Sequence, residues 1–374
     1  MLARCLVLLV VAGLAQLGQG SSTIGPVRAS ASLKLRPVSL SWILMSTASI
    51  GWALSGKGVL RTTDGGQQWR KIAGLPRSAK TPRATMAAHG PSEAWVAAPA
   101  GKSVDAFHSK VRMFSTTDGG RHWFRSRALR GSGGSLDFVD SRHGWLFTGL
   151  GVATGSMSHN LYRTSDGGRT WRLIEYNHID TSSKGSLNSC DGLDGVSFRT
   201  PTEGWSTGWC GAGPQMLMFY RSSDRGRTWR AQSLRWPHGY RVNSWNVALP
   251  AFIGTYGVLA VSLASPAAFV LYVTLDGGEH WLPTTPIRTL GWPDAFMLDR
   301  HRVWSVVDGT LYRSFDSGLH WQALTHHFQA TELDFVTARS GFALNGPQPI
   351  RRPQLLRTED GGRSWRTIPT VLIG

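Results

Sequence analysis

The chain has 374 residues and a formal net charge of +17 at pH 7, with 40 Lys and Arg against 23 Asp and Glu. Such a positive field favours polyanions and anionic surfaces as partners, with a solvated basic surface as the alternative. The three cysteines lack the Cys/His spacing of a zinc centre, so the sequence does not support a closed structural metal site.

Residues 1–20 are predicted to be a signal peptide. One charge, Arg4, precedes an apolar run from Cys5 to Ala15, and small residues follow around Gly18 and Gly20. The run is too short to cross a bilayer, although an uncleaved anchor is the alternative. Residues 21–34 are Ser-rich and predict a flexible lead-in. We therefore expect a secreted or extracytoplasmic protein.

From residue 35 onward the chain repeats one motif, S/T-x-D-x-G-x-x-W, between two segments with strand character. The seven copies centre on Asp64, Asp118, Asp166, Asp224, Asp276, Asp316 and Asp360. An Asp at the start of a tight turn accepts backbone hydrogen bonds, and a glycine supplies a positive φ. Arg225 and Ser317 replace the first glycine of the motif, whereas the second is kept in all copies. The second glycine is therefore predicted to have the positive φ.

A second recurring feature lies upstream of each motif, where a small residue precedes a large apolar one, as in Gly51-Trp52 and Gly144-Trp145. Another apolar strand precedes this pair. Each repeat thus predicts four strands, A to D, with the motif between C and D, which is the pattern of a propeller blade. We predict an all-β fold: residues 35–374 form a single, monomeric seven-bladed β-propeller with four-stranded antiparallel blades and one Asp motif per blade. Either residues 371–374 or residues 32–35 are expected to close the ring.

The motif resembles the Asp box of the BNR repeat, found in sialidases, sortilin-type receptors, xyloglucan-degrading endoglucanases and photosystem II assembly and stability factors. The resemblance implies that the seven Asp residues form structural turns on a rim away from the ligand site. The whole mature chain is most similar to the photosystem II assembly and stability factor-like family of single propellers. That resemblance implies docking of a protein partner through an arginine-rich surface, without chemistry.

Binding is predicted on the opposite face of the ring, at the B–C and D–A loops, which are long and basic. Ordered loops on a rigid scaffold are common binding positions, and tryptophans beside arginines can stack on sugars or clamp anionic polymers. The alternative is that the tryptophans cover the core. The predicted binding residues are Arg77, Lys80, Arg83, Arg125, Arg127, Arg130, Arg235, Trp236, Arg241, Trp245, Trp292, Arg351 and Arg352.

Catalysis is the competing interpretation, because the motif also occurs in sialidases. The sialidase Arg-Ile-Pro motif is absent from this sequence. A glycosidase needs two neighbouring carboxyl groups, and the unassigned acids are Glu175, Asp180, Asp191 and Asp194. We expect these to be solvated loop acids, and we assign no catalytic residue, cofactor or metal. His178, His326 and His327 lack a metal-ligand spacing. We therefore favour a protein that is not an enzyme, with catalysis as the alternative.

Cys190 and Cys210 are predicted to form a disulfide, because an exported protein meets an oxidising compartment; two free, buried thiols are the alternative. The sequence therefore predicts a non-enzymatic scaffold whose partner is a protein or an anionic cell-envelope polymer, with peripheral membrane contact also compatible. Nucleic acid is not expected as a partner, because export brings the protein to wall polymers and lipid head groups first. A glycan-binding or sialidase-like propeller is the alternative.

Overall fold

The fold follows from the strand, turn, strand pattern of the repeat. The computed structural model describes residues 36–75, 84–101, 108–153, 156–178, 182–184, 186–187, 192–209, 217–240, 244–264, 266–289, 295–346 and 353–373. Every regular element in these ranges is a β-strand, so this part of the chain has no helix long and apolar enough to cross a membrane. The predicted signal peptide, lead-in and disulfide cysteines lie outside these ranges.

The strands form seven antiparallel blades, which confirms the predicted seven-bladed β-propeller. Blade 1 has β2 (Leu40–Met45), β3 (Gly51–Ser55), β4 (Gly58–Thr62) and β5 (Gln68–Lys71), flanked by β1 (Arg36–Pro37). Blade 2 has β6 (Thr85–His89), β7 (Glu93–Pro99), β8 (Lys110–Thr116) and β9 (Phe124–Arg130). Blade 3 has β10 (Leu136–Phe138), β11 (Gly144–Ala153), β12 (Ser156–Thr164), β13 (Arg172–His178) and β14 (Ser182–Lys184).

The remaining blades follow in chain order. Blade 4 has β15 (Gly192–Phe198), β16 (Gly204–Trp209), β17 (Leu217–Ser222) and β18 (Arg230–Ala231). Blade 5 has β19 (Ser244–Val247), β20 (Ala251–Ile253), β21 (Tyr256–Ala264), β22 (Ala267–Thr274), β23 (Leu282–Pro283) and β24 (Ile287–Arg288). Blade 6 has β25 (Ala295–Met297), β26 (Val303–Val307), β27 (Thr310–Ser314) and β28 (Gln322–His326). Blade 7 has β29 (Ala330–Phe335), β30 (Gly341–Asn345), β31 (Gln354–Thr358) and β32 (Arg366–Ile368), followed by β33 (Val371–Ile373).

The core lies between the blades, because each blade buries both of its faces against its neighbours. In blades 2, 3 and 6 the strand-B tryptophan stacks on a phenylalanine of the next blade's strand A. Trp95 stacks on Phe138 with ring centroids 3.9 Å apart, and Trp145 stacks on Phe198 at 3.6 Å. Offset aromatic pairs add about 0.5–1.5 kcal/mol beyond area burial. The strand-B position therefore joins one blade to the next.

The ring closes on blade 1 at both its outer and inner edges. At the outer edge, β33 pairs in parallel with β5, and β1 adds to β33, so this sheet has six strands. Of the two predicted closing segments, residues 371–373 therefore pair at the seam, while residues 32–35 lie outside the described ranges. At the inner edge, the backbone N–H of Met45 in β2 donates to the Asp334 carboxylate in β29.

Candidate functional site

The repeated motif forms a self-contained turn between strands C and D. In blade 3, the Thr164 hydroxyl donates to Asp166 Oδ1 at 2.8 Å and accepts from the Gly168 N–H at 3.0 Å. Asp166 also accepts the N–H and hydroxyl of Thr170. Burial alone would raise the pKa of Asp166, but the hydrogen bonds from Thr170 and Thr164 lower it. The carboxylate is thus occupied within its own turn.

Both glycines of the motif have a left-handed backbone, so the sequence prediction was right about the second but incomplete. The first position has φ of 74° at Gly167, 76° at Arg225 and 67° at Ser317. Space distinguishes the two positions. A Cβ at Gly278 would lie 2.3 Å from Trp205 Cζ2, a ring buried in the preceding blade, whereas one at Gly277 would meet the flexible Arg199 side chain. The second glycine is therefore required for docking between blades.

An arginine row follows the same rim. Five blades place an arginine of strand C directly opposite the strand-B aromatic residue, and these are Arg61, Arg163, Arg221, Arg313 and Arg357. Each reaches toward the turn of the next blade; for example, Arg313 Nη1 donates to the Gly361 carbonyl at 3.1 Å. We call the space that each guanidinium fills the arginine slot.

A cavity of about 560 Å³ opens on this rim between blades 2 and 3. Its walls combine carboxylates, cations and aromatic rings. The lining residues include Glu93, Ser115, Phe124, Ser141, Asp166 and Arg169. The cavity lies on the rim that the sequence interpretation assigned only to structure.

The predicted basic loop residues are only partly described. Arg125, Arg127 and Arg130 are exposed, but they lie on the outer strand β9 and not on a loop, because this segment pairs with β8. Arg235 is exposed, and Trp236 packs against the core between blades 4 and 5, as the alternative interpretation expects. Trp245 lies in strand β19. The other predicted binding residues, the two disulfide cysteines and two of the unassigned acids lie outside the described residues, and these are Arg77, Lys80, Arg83, Arg241, Trp292, Arg351, Arg352, Cys190, Cys210, Asp180 and Asp191.

Glu175 corrects a prediction, because it is not a solvated loop acid. It lies on β13 with its side chain 1% exposed and pairs with His159 Nε2 at 3.0 Å. The register places Glu175 opposite Leu161, so it faces the core between blades 3 and 4. Asp194 lies on the inner strand β15 and not on a loop, and it remains exposed to solvent. Partial desolvation by the surrounding protein raises its pKa to about 6. Glu175 thus has a partner inside the fold, and among the described residues no cluster of three potential metal ligands occurs.

Two further acids join neighbouring inner strands, and the sequence interpretation overlooked them. Asp137 accepts the Phe198 N–H at 2.6 Å, as Asp334 accepts that of Met45. Burial raises the pKa of Asp137 to about 6 and that of Asp334 to about 7. The signal was present, because Leu-Asp-Phe-Val occurs at the same place in two repeats.

Replacing Asp334 with Asn is expected to flatten the dependence of folding stability on pH. The folded protein retains the Asp334 proton up to a pKa of about 7, whereas the unfolded chain releases it near pH 4. The contribution of Asp334 to folding stability is therefore greatest below that lower value and falls as pH rises to 7, by about 2 kcal/mol after allowing for partial solvent access. Urea unfolding at several pH values measures this loss. Identical pH profiles for both proteins would contradict it.

No protein-family model and no curated protein matches the chain. Among solved structures, it is similar to YCF48 bound to D1 peptide, at 16% identity and a TM-score of 0.54, over 89% of this chain and 97% of that one. A xyloglucanase of family GH74 from Xanthomonas campestris matches at 14% identity and a TM-score of 0.58, over 91% of this chain and 55% of the enzyme. An ancestral GH74 enzyme matches at 14% identity and a TM-score of 0.55, over 92% of this chain and 48% of the enzyme. The chain spans about half the length of these two enzymes. At such identities the likeness shows the fold alone: this chain is a seven-bladed β-propeller.

Proposed function

We propose that the protein is an exported, non-enzymatic Asp-box propeller that binds an acidic segment of a protein partner through its basic surface. The observation that carries this proposal is the outer strand of blade 2, where Arg125, Arg127 and Arg130 are all exposed. Within the described ranges, no ion pair joins these arginines to a carboxylate, so their charges face solvent. A net charge of +17 strengthens attraction for an acidic partner.

The similarity to YCF48 supports a protein partner, because that propeller is bound to a peptide and has nearly the same extent as this chain. The blade scaffold also suits docking. Its buried inter-blade contacts hold the outer strands in place, so exposed arginines are presented with little loss of backbone entropy. The glycan-directed alternative depends on a carboxylate pair, and one of its candidates, Glu175, is already paired with His159.

The test is capture of partners from the solubilised native cell envelope, followed by a titration with the purified partner. Replacing Arg125 and Arg127 with Glu is expected to weaken the affinity at least about tenfold, because two attractive charges become repulsive. The matched control replaces Arg172 and Arg230 with Glu. These are exposed arginines on the D strands of blades 3 and 4. Equal losses in both variants would indicate attraction by net charge alone and contradict a site on blade 2. Release of reducing sugar from a glycan panel would favour the alternative.

A further inference from the structure

Blade 2 lacks the arginine that its neighbours place in the arginine slot. In its register Ser115 stands opposite Trp95, where blades 1 and 3 have Arg61 opposite Trp52 and Arg163 opposite Trp145. The cavity between blades 2 and 3 is lined by Ser115. The missing side chain thus coincides with the open space.

The filled slots show what the empty one accepts. Arg61 Nη2 donates to the Pro91 carbonyl at 3.0 Å, and its guanidinium carbon would lie 3.2 Å from a Cβ at Gly119. At the corresponding turn glycine of blade 3, Gly167, an added Cβ would meet only the Ser141 carbonyl oxygen, at 2.9 Å. The acceptor for a guanidinium is therefore present beside an unfilled space.

A carboxylate stands at the mouth of the empty slot. Glu93 is the residue two positions before the strand-B tryptophan, and the same position in blade 4 is Glu203. There, Glu203 Oε1 binds the slot arginine, Arg221, at 3.1 Å. Glu93 lines the cavity, and in the described part of the chain no ion pair joins it to a cation. Blade 4 therefore serves as a template in which the same carboxylate already holds its guanidinium.

Two further features fit a guanidinium. Phe124 is 47% exposed and forms an apolar wall on which a planar cation can stack. Arg169 already lies over this ring, with its guanidinium carbon 6.0 Å from the ring centroid. The positive charge of Arg169 does not exclude a second arginine. Arg61 already lies near Arg121 of the next turn, where its pKa is lowered by burial and then by that charge. Arginines therefore occupy such slots beside a like charge.

We propose that this cavity binds the side chain of an arginine presented by a protein partner. The guanidinium occupies the position that Arg61 and Arg163 hold in their own blades. It donates to Glu93 and to the Ser141 carbonyl, and it stacks on Phe124. A planar guanidinium can donate to both acceptors while it stacks on an aromatic ring, so lysine is expected to be a weaker ligand. The side chains of this site are different from those of the acid-binding surface proposed above.

The test is a titration of the full chain with N-acetyl-arginine amide, followed by NMR of the Gly167 amide and the Trp123 indole, because both residues line the cavity. Saturable shifts are expected, and the citrulline analogue, which is isosteric but neutral, is expected to give none. Glu93→Gln is expected to weaken binding about tenfold, because a charge-assisted hydrogen bond is lost. The matched control, Glu203→Gln, removes the same carboxylate from a slot already filled by Arg221 and leaves binding unchanged.

Ser115→Arg is expected to fill the slot from within and abolish binding. If this variant does not fold, the contrast between Glu93→Gln and Glu203→Gln decides. Equal binding of citrulline, unchanged binding by Ser115→Arg or no saturable shift overturns the proposal. Tighter binding of inorganic phosphate at the same signals also overturns it, since the cavity would then be an anion site. Loss of acidic-partner binding alone leaves these titrations unaffected, so the two proposals fail separately.

Discussion

Replacing Glu175 with Ala is expected to lower the free energy of unfolding by about 2–4 kcal/mol, because it leaves the buried His159 without its hydrogen-bond partner and opens a cavity in the core. The His159 and Glu175 side chains are 0% and 1% exposed. His159 also stacks on Phe147, with ring centroids 5.1 Å apart, so it has little freedom to turn toward solvent. The cost is therefore paid within the core between blades 3 and 4.

Urea unfolding followed by tryptophan fluorescence measures this loss. The control is Glu359→Ala, which removes a carboxylate that is 60% exposed and paired with Arg357 and Arg366. Exposed pairs contribute about 0–1 kcal/mol, so the control is expected to change stability little. Equal effects of the two substitutions would contradict a buried structural role for Glu175 and return it to the candidate acids of the glycan-directed alternative.

Gly278→Ala is expected to destabilise the propeller by about 3 kcal/mol or more, as strain in a left-handed backbone adds to overpacking in the core. The new Cβ would stand 2.3 Å from Trp205, a ring with 0% exposure. The control is Gly277→Ala. The φ of Gly277 is 75°, close to the 88° of Gly278, but a Cβ at Gly277 would face the flexible side chain of Arg199. The expected cost of the control is about 1–2 kcal/mol, from the backbone alone.

The comparison of these two neighbours isolates docking between blades from backbone strain. Thermal and urea unfolding of both variants measure the difference. If Gly277→Ala costs as much as Gly278→Ala, the turn is constrained by φ alone. The contact between each turn and the preceding blade would then contribute nothing measurable, contrary to the packing described above.

The ring was predictable because its signals are local and repeated. A Ser or Thr, an Asp, a glycine and a Trp at fixed spacing specify each turn, and strand alternation places the Trp inward. The sequence left two candidate segments for ring closure and did not decide between them, because the three residues of β33 pair with an outer strand about 300 positions earlier. Such a contact leaves no period in the sequence.

The site was less predictable, for a physical reason in each case. Glu175 lies on strand β13, and the motif that precedes this strand does not determine how long the strand is. The sequence therefore placed Glu175 in a loop, although it is buried in the strand. The cavity exists because Ser115 stands at a position where five other blades have an arginine. This equivalence is recognised only when the strand register aligns the blades. Ser115 can be read from the sequence, but the cavity beside it is recognised only when the neighbouring residues Ser141 and Gly167 of blade 3 are placed in the structure.

The measurement that tests the functional account most directly is a titration of the captured envelope protein against the purified propeller at low and high salt. We predict saturable one-to-one binding at about 0.05 M salt that weakens at least about tenfold at 0.5 M, because the contacts are exposed charges. The same weakening is expected in the Arg125 and Arg127 double variant at low salt. Recovery of no protein partner at low salt, or binding that is indifferent to both salt and these arginines, would contradict the account.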